Sequence, residues 1–180
     1  MKKLWFLSVI GTLAIALILF SSCSNDGDGG GGEGTGSFTY DGTTYTITNG
    51  YIDDWSILGE PDFDITLATA GLDAWEWTGT GDYVYLDLVA PSSIGQAGTY
   101  DWAATGGFEL FDCGIGLNWV ASSDTGTWIN GDFGLASGAD YVTISKSGST
   151  YTIDFSITLD DGKVVTGNYT GTLPIWVITS

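Results

Sequence analysis

Between Tyr151 and Leu159 every second residue is apolar: Tyr151, Ile153, Phe155, Ile157 and Leu159 alternate with Thr152, Asp154, Ser156 and Thr158. A period of two places all five apolar side chains on one face of an extended strand, and a helix would scatter them around its axis. One face is expected to be buried and the other wet. The rest of the chain beyond Gly36 agrees. Thr, Tyr, Val, Ile, Trp and Phe are abundant, glycine is frequent, and no long stretch shows an apolar stripe of helical period.

The turns beside this strand set its register. A two-residue Asp161-Gly162 loop would turn Val165 and Tyr169 outward, whereas a three-residue Asp160-Asp161-Gly162 loop places Val165 opposite Ile157, Gly167 opposite Phe155 and Tyr169 opposite Ile153. The second register keeps apolar with apolar, and predicts a type I turn with Gly162 left-handed in a G1 bulge. Upstream, a two-residue Ser147-Gly148 loop pairs Ile144 with Tyr151 and Val142 with Ile153. Residues 140–170 therefore read as a three-stranded meander. Asp41-Gly42 as a two-residue turn sets Phe38 opposite Tyr45 in an amino-terminal hairpin reaching about Ile47.

Further strands are expected over Phe63–Thr69, Trp75–Thr78, Tyr83–Val89, Gly98–Trp102, Phe108–Asp112, Gly116–Ala121 and Thr127–Phe133. Thr172-Leu173-Pro174 is expected to end the meander, with Ile175–Ile178 as a last edge strand. The fold class is all-β, an antiparallel sandwich or an up-and-down, lipocalin-like barrel of about eight to ten strands. Periodicity does not choose between the two closures.

The amino terminus carries a different signal. Lys2 and Lys3 precede an uncharged run from Leu4 to Phe20, and Phe20-Ser21-Ser22-Cys23 puts small residues directly before a cysteine. This is the pattern of a cleaved export signal ending in a lipobox. It resembles the type II lipoprotein signals of diderm bacteria, which implies a lipidated Cys23 as the membrane contact. Phe20 departs from the commoner Leu at its place. Burial contributes about 0.8 kcal/mol per methylene, and two or more acyl chains make a stable anchor. The expected organisation is a signal over residues 1–22, Cys23 with an acidic glycine-rich tether over 23–36, and one β-domain over 37–180. The tether, SNDGDGGGGEGTG, has no side chain that could join a core and would hold the domain roughly 20 Å from the lipid. Asp26, Asp28 and Glu33 resemble the acidic export signals of some Bacteroidota lipoproteins, which implies the outer leaflet and cell surface in preference to the periplasmic face.

A second resemblance lies in the carboxy-terminal half. Tyr141-Val-Thr-Ile-Ser-Lys-Ser-Gly148, Tyr151-Thr-Ile-Asp-Phe155, Asp161-Gly-Lys163 and Gly167-Asn-Tyr-Thr-Gly-Thr-Leu173, with Gly98-Thr-Tyr100 upstream, are similar to a motif recurring in uncharacterised Bacteroidota lipoproteins. These are strand and turn residues. The resemblance implies a β-rich outer-membrane lipoprotein and carries no active site.

Composition excludes much chemistry. All 22 acidic residues follow Cys23, against Lys146 and Lys163 alone, a net of about −20 once the signal is removed. Such a field repels nucleic acid. The chain has no histidine and its four basic residues are all lysine, so Ser-His-Asp triads, histidine metal sites and guanidinium recognition of anions are absent. Cys113 has no second thiol once Cys23 is lipidated, and is expected to be a small buried residue.

Three constellations remain. A carboxylate pair such as Glu76 and Glu109 could in principle serve glycoside hydrolysis, but with 22 acids some pair falls in range by chance, and a non-enzyme is expected. Asp53, Asp54, Asp62 and Asp64, with Glu60, offer hard oxygen ligands for calcium, although solvated loop acids account for them without a metal; no other cofactor is implied. Trp75 and Trp77, two apart, would share a strand face as stacking platforms for a sugar, the competing role of every such ring being to fill the core. The expected function is a non-catalytic binding module for extracellular glycan. The alternatives are a structural or assembly lipoprotein contacting an outer-membrane protein, or a lipocalin-like binder of a small hydrophobic ligand.

Overall fold

A computed structural model describes residues 31–56, 59, 61–102, 107–131 and 140–177. The signal, Cys23, Glu60, Phe133 and Ile178 lie outside the described residues.

Twelve strands follow one another: β1 Gly32–Tyr40, β2 Thr43–Asp54, β3 Asp62–Thr69, β4 Leu72–Asp73, β5 Thr78–Val89, β6 Gly98–Asp101, β7 Glu109–Val120, β8 Thr125–Asn130, β9 Tyr141–Ser147, β10 Thr150–Thr158, β11 Val164–Thr172 and β12 Ile175–Val177. Nine of them close a barrel in the order β1-β2-β3-β5-β7-β6-β9-β10-β11, with β11 paired back to β1 and β5 paired to β7. The ring is a barrel and not a sandwich. It is antiparallel except where β6 meets β7 at Asp101 and Glu109. The other three strands are outgrowths: β4 extends β5, β8 pairs with β7, and β12 runs parallel to the end of β2.

The inward residues of each strand fill the barrel. Tyr100, Tyr169, Phe38, Phe63 and Phe155 are its largest fully buried side chains, packed among Ile, Leu and Val from the other barrel strands, and Cys113 is buried with them. Desolvation, then the surrounding aspartates, pushes the Cys113 thiol up, leaving it an inert apolar residue.

The meander takes the register of the three-residue loop. Ile157 faces Val165, Phe155 faces Gly167, Ile153 faces Tyr169, and Gly162 has φ +76°. Phe38 likewise faces Tyr45 across Asp41-Gly42, with both turn residues at positive φ. Four expectations are corrected. The β9–β10 loop is Gly148-Ser149 and not Ser147-Gly148, so Ile144 faces Ile153 and Val142 faces Phe155. A slip of two residues keeps every side chain on its face, so burial does not discriminate between these registers. Phe108–Asp112 and Gly116–Ala121 belong to one continuous strand, β7, whose central glycines seat rings rather than break the chain. Trp75–Thr78 is a turn entering β5: the Asp73 carboxylate accepts from the backbone N–H groups of Trp75 and Glu76, which bends the chain where an extended segment was expected. Finally, β1 starts at Gly32, within the segment expected to be tether. Side chains at Gly32 and Gly36 would overlap the backbone of β11 at Thr172 and Asn168, so these glycines allow the two strands to close up.

Candidate functional site

The outward face of β2, β3, β5, β7 and β8 does not meet water as the outside of a simple barrel would. Register places Ala68, Tyr83, Gly116 and Trp128 in one row across β3, β5, β7 and β8. The next row is Tyr51, Thr66, Tyr85 and Gly114, and the one after it is Asp53, Asp64, Asp87 and Asp112, each residue facing the next across its ladder. Ala68, Leu72, Ala74, Tyr83 and Ala121 form a second apolar cluster on this outer face, with Tyr51, Trp77, Tyr85 and Trp119 packed against it.

Glycine makes room for the rings. A Cβ on Gly116 would overlap the Tyr83 ring, and one on Gly114 the indole of Trp128. Both rings therefore lie flat across β7. Tyr83 stacks with Trp128 at 5.7 Å and meets Trp77 and Trp119 edge-on at 5.3 and 5.6 Å. The Trp128 indole N–H donates to Asn130, holding that ring along its strand. Trp77 comes from the β4–β5 turn, which Asn49 straps to the sheet: its amide donates to Leu72 O at 3.0 Å and accepts from the Ala74 N–H at 3.0 Å.

The result is an open trough of about 280 Å³. Thr66 and Tyr83 are buried at its base, Trp77 and Trp128 stand higher at its sides, and Tyr51, Tyr85 and Asp53 complete it. Asp53 is the one acidic or basic residue in its lining among the described residues. Beyond Asp53 the carboxyl row runs beneath Trp55, whose indole N–H donates to Asp64 at 2.7 Å; the Tyr85 hydroxyl also bonds Asp64, and that of Tyr51 bonds Asp53. Burial raises these acids. Asp64 is pushed up to about 6 by desolvation against its two hydrogen bonds, and Asp87 to about 8 by desolvation and then by Asp64 and its other acidic neighbours. Asp53 and Asp112 are raised too, by desolvation. Asp87 Oδ1 is buried with no hydrogen-bond partner among the described residues. A carboxyl that holds its proton near neutrality tolerates such a place better than a carboxylate would.

The residues singled out from sequence separate. Trp75 and Trp77 share no face: Trp75 packs on Trp176 at 5.1 Å and on Tyr51 at 6.1 Å, while Trp77 meets Tyr83. Positive φ at Trp77 is the local reason, since it turns the second ring away from the first. Asp53, Asp62 and Asp64 are strand residues rather than loop acids, and Asp54, on the opposite face to Asp53, accepts the Ser56 N–H at 3.0 Å. No group of three acidic side chains converges as a metal site among the described residues. Glu76 and Glu109 lie toward opposite ends of β5, roughly 35 Å apart along a strand of that length, so they do not form a pair. Tyr83 and Tyr85 were not foreseen as site residues. Their signal is the spacing of Gly114 and Gly116, two outward glycines on one strand, which marks a place where rings from neighbouring strands can lie.

The chain matches no protein-family model, no curated protein and no solved structure.

Proposed function

We propose that this is a lipid-anchored, surface-displayed β-barrel that binds an extracellular glycan without transforming it, with Cys23 as the lipidated residue. The observation that carries the glycan reading is the trough: Trp77 and Trp128 offer aromatic surface to a pyranose beside Tyr51, Tyr83 and Tyr85, and Asp53 offers a hydrogen-bond acceptor to its hydroxyls. The stacking role passes from the Trp75 and Trp77 pair to Trp77 and Trp128. Binding rather than hydrolysis is favoured because, among the described residues, one carboxyl meets the trough, where glycoside cleavage needs two flanking the bond. The two acids with the most raised pKa, Asp64 and Asp87, are not in its lining. Calcium has no part in this reading.

The test is a glycan array with the chain from Ser24 onward, so that β1 is kept whole, run with calcium and with chelator. Binding that is lost in Trp77→Ala/Trp128→Ala while the protein stays folded supports the reading; a blank array with folded protein overturns it.

A protein partner is the second reading, favoured by one feature. Ile175, Trp176 and Val177 of β12 are exposed side by side next to Trp75, a compact apolar edge of the kind that receives another chain. A lipocalin-like ligand finds less support, because aromatic side chains occupy the barrel interior.

A further inference from the structure

We infer that the trough selects a sugar carrying a free, protonated amine, so that its ligand is an amino-sugar oligomer and not a neutral or acidic glycan. The inference rests on the glycan reading above and adds the ligand's charge to it. Five rings, Tyr51, Trp77, Tyr83, Tyr85 and Trp128, line one small depression, and ring faces are the negative ends of their quadrupoles. Among the described lining residues the one acidic side chain is Asp53. No cation offsets this. Beyond Lys3 the whole sequence has two basic residues, and both are engaged elsewhere. Lys163 is paired with Asp41 and Asp161 at the β1–β2 and β10–β11 turns, and Lys146 lies over Tyr151 with its ammonium on that hydroxyl.

An ammonium in the trough would meet ring faces and a carboxylate together, two attractions that a neutral sugar lacks. A uronate or sulfated sugar would meet the same groups with the opposite sign, and without the guanidinium or lysine that recognition of an anion requires. The net charge of the domain acts in the same direction at longer range.

The experiment compares glucosamine oligomers with N-acetylglucosamine oligomers of equal length by calorimetry, below the pKa of the amine, using the chain from Ser24 onward. The two ligands share ring and linkage and differ in charge. Galacturonate oligomers and free choline are the third and fourth ligands. The expected result is a preference of roughly tenfold or more for the free amine, no binding of galacturonate, and choline at least tenfold weaker than the oligomer. Asp53→Asn should remove most of the preference, read as the fall in the ratio of the two affinities whatever it does to the affinity for the N-acetylated oligomer itself. A preference that survives Asp53→Asn would mean diffuse attraction between a polycation and an acidic protein, and overturns the assignment to the trough. Should Asp53→Asn not fold, added salt makes the same distinction: it weakens long-range attraction strongly and a close, partly buried contact much less. Equal or better binding of the N-acetylated oligomer overturns the inference and leaves the glycan reading standing. Choline bound as tightly as the oligomer would show a cation site that is not a sugar site. No binding of any oligomer to folded protein removes the glycan reading itself.

Discussion

Along β10, from Tyr151 to Thr158, buried residues alternate with half-buried or exposed ones; along β3, seven consecutive residues from Phe63 to Thr69 are buried. Both strands belong to the same closed ring, and both send every second side chain into its interior. The difference lies outside. The outward residues of β10 meet water and the threonines of β9 and β11, whereas those of β3 lie beneath the second apolar cluster and the acidic row. One side of the barrel is a wall with a dry and a wet face. The other is a wall between two interiors, and the candidate site is built where the second interior opens.

Removing inward volume in the meander should have the largest effect. Phe155→Ala empties a fully packed position in the shared core and is expected to cost about 3–5 kcal/mol, read from the urea midpoint. On the flank, Gly116→Val drives a side chain into the Tyr83 ring from outside the barrel. The expected loss is about 2 kcal/mol, with a change in near-ultraviolet circular dichroism and loss of the trough, while the barrel stays folded. If Gly116→Val unfolds the protein as thoroughly as Phe155→Ala, the two interiors are one cooperative unit.

The third test is confined to the flank. Asp87 binds its proton more tightly in the folded chain, at about 8, than an unfolded aspartate does, at about 3.9. Its contribution is therefore complete below the unfolded value and declines as pH rises toward about 8, where the folded carboxyl must ionise. Asp64, pushed up to about 6, acts in the same direction over a narrower range. Asp87→Asn should stabilise the protein by on the order of 1 kcal/mol at the alkaline end, have little effect near the unfolded pKa, and flatten the fall of stability between. A wild-type stability that rises with pH over this interval would contradict the account of the acidic row.

The smallest effects compare two outward threonines. Thr66→Ala removes a buried side chain whose hydroxyl bonds Tyr51 and should cost about 1 kcal/mol; Thr170→Ala, exposed on β11, should stay within about 0.5 kcal/mol. Equal costs would erase the distinction between the two sides.

The same contrast explains what could be read beforehand. Alternation is visible where one face is wet, so the meander, its partners across Asp160-Asp161-Gly162 and the Phe38–Tyr45 pair follow from sequence. On the flank the outward residues are covered as well, the polar Asp64 and Thr66 among them, so β3 is buried on both faces although its sequence alternates. The trough depends on contacts remote in sequence: Asn49 holding the chain at Leu72 and Ala74, and Trp128 lying over Gly114. Local pattern reports neither. Trp75 and Trp77 were read as one platform because two residues of separation means one face on a strand; the turn that Asp73 creates cancels that rule. The acids between Asp53 and Asp64 read as loop residues for a related reason. Their row exists only after β2, β3, β5 and β7 are laid side by side.

The place of β1 in the ring has a mechanical consequence. Its residues are zipped to β11 on one flank from Gly34 to Thr39 and to β2 on the other from Gly36 to Tyr40, with a bulge between Glu33 and Gly36 on the β2 side. A pull applied upstream of Gly31, along the strand, would load both ladders together and in shear, because neither edge is free to peel open bond by bond. A tethered domain tugged through a long polymer in its trough would thus transmit force into the chain at the point best able to carry it.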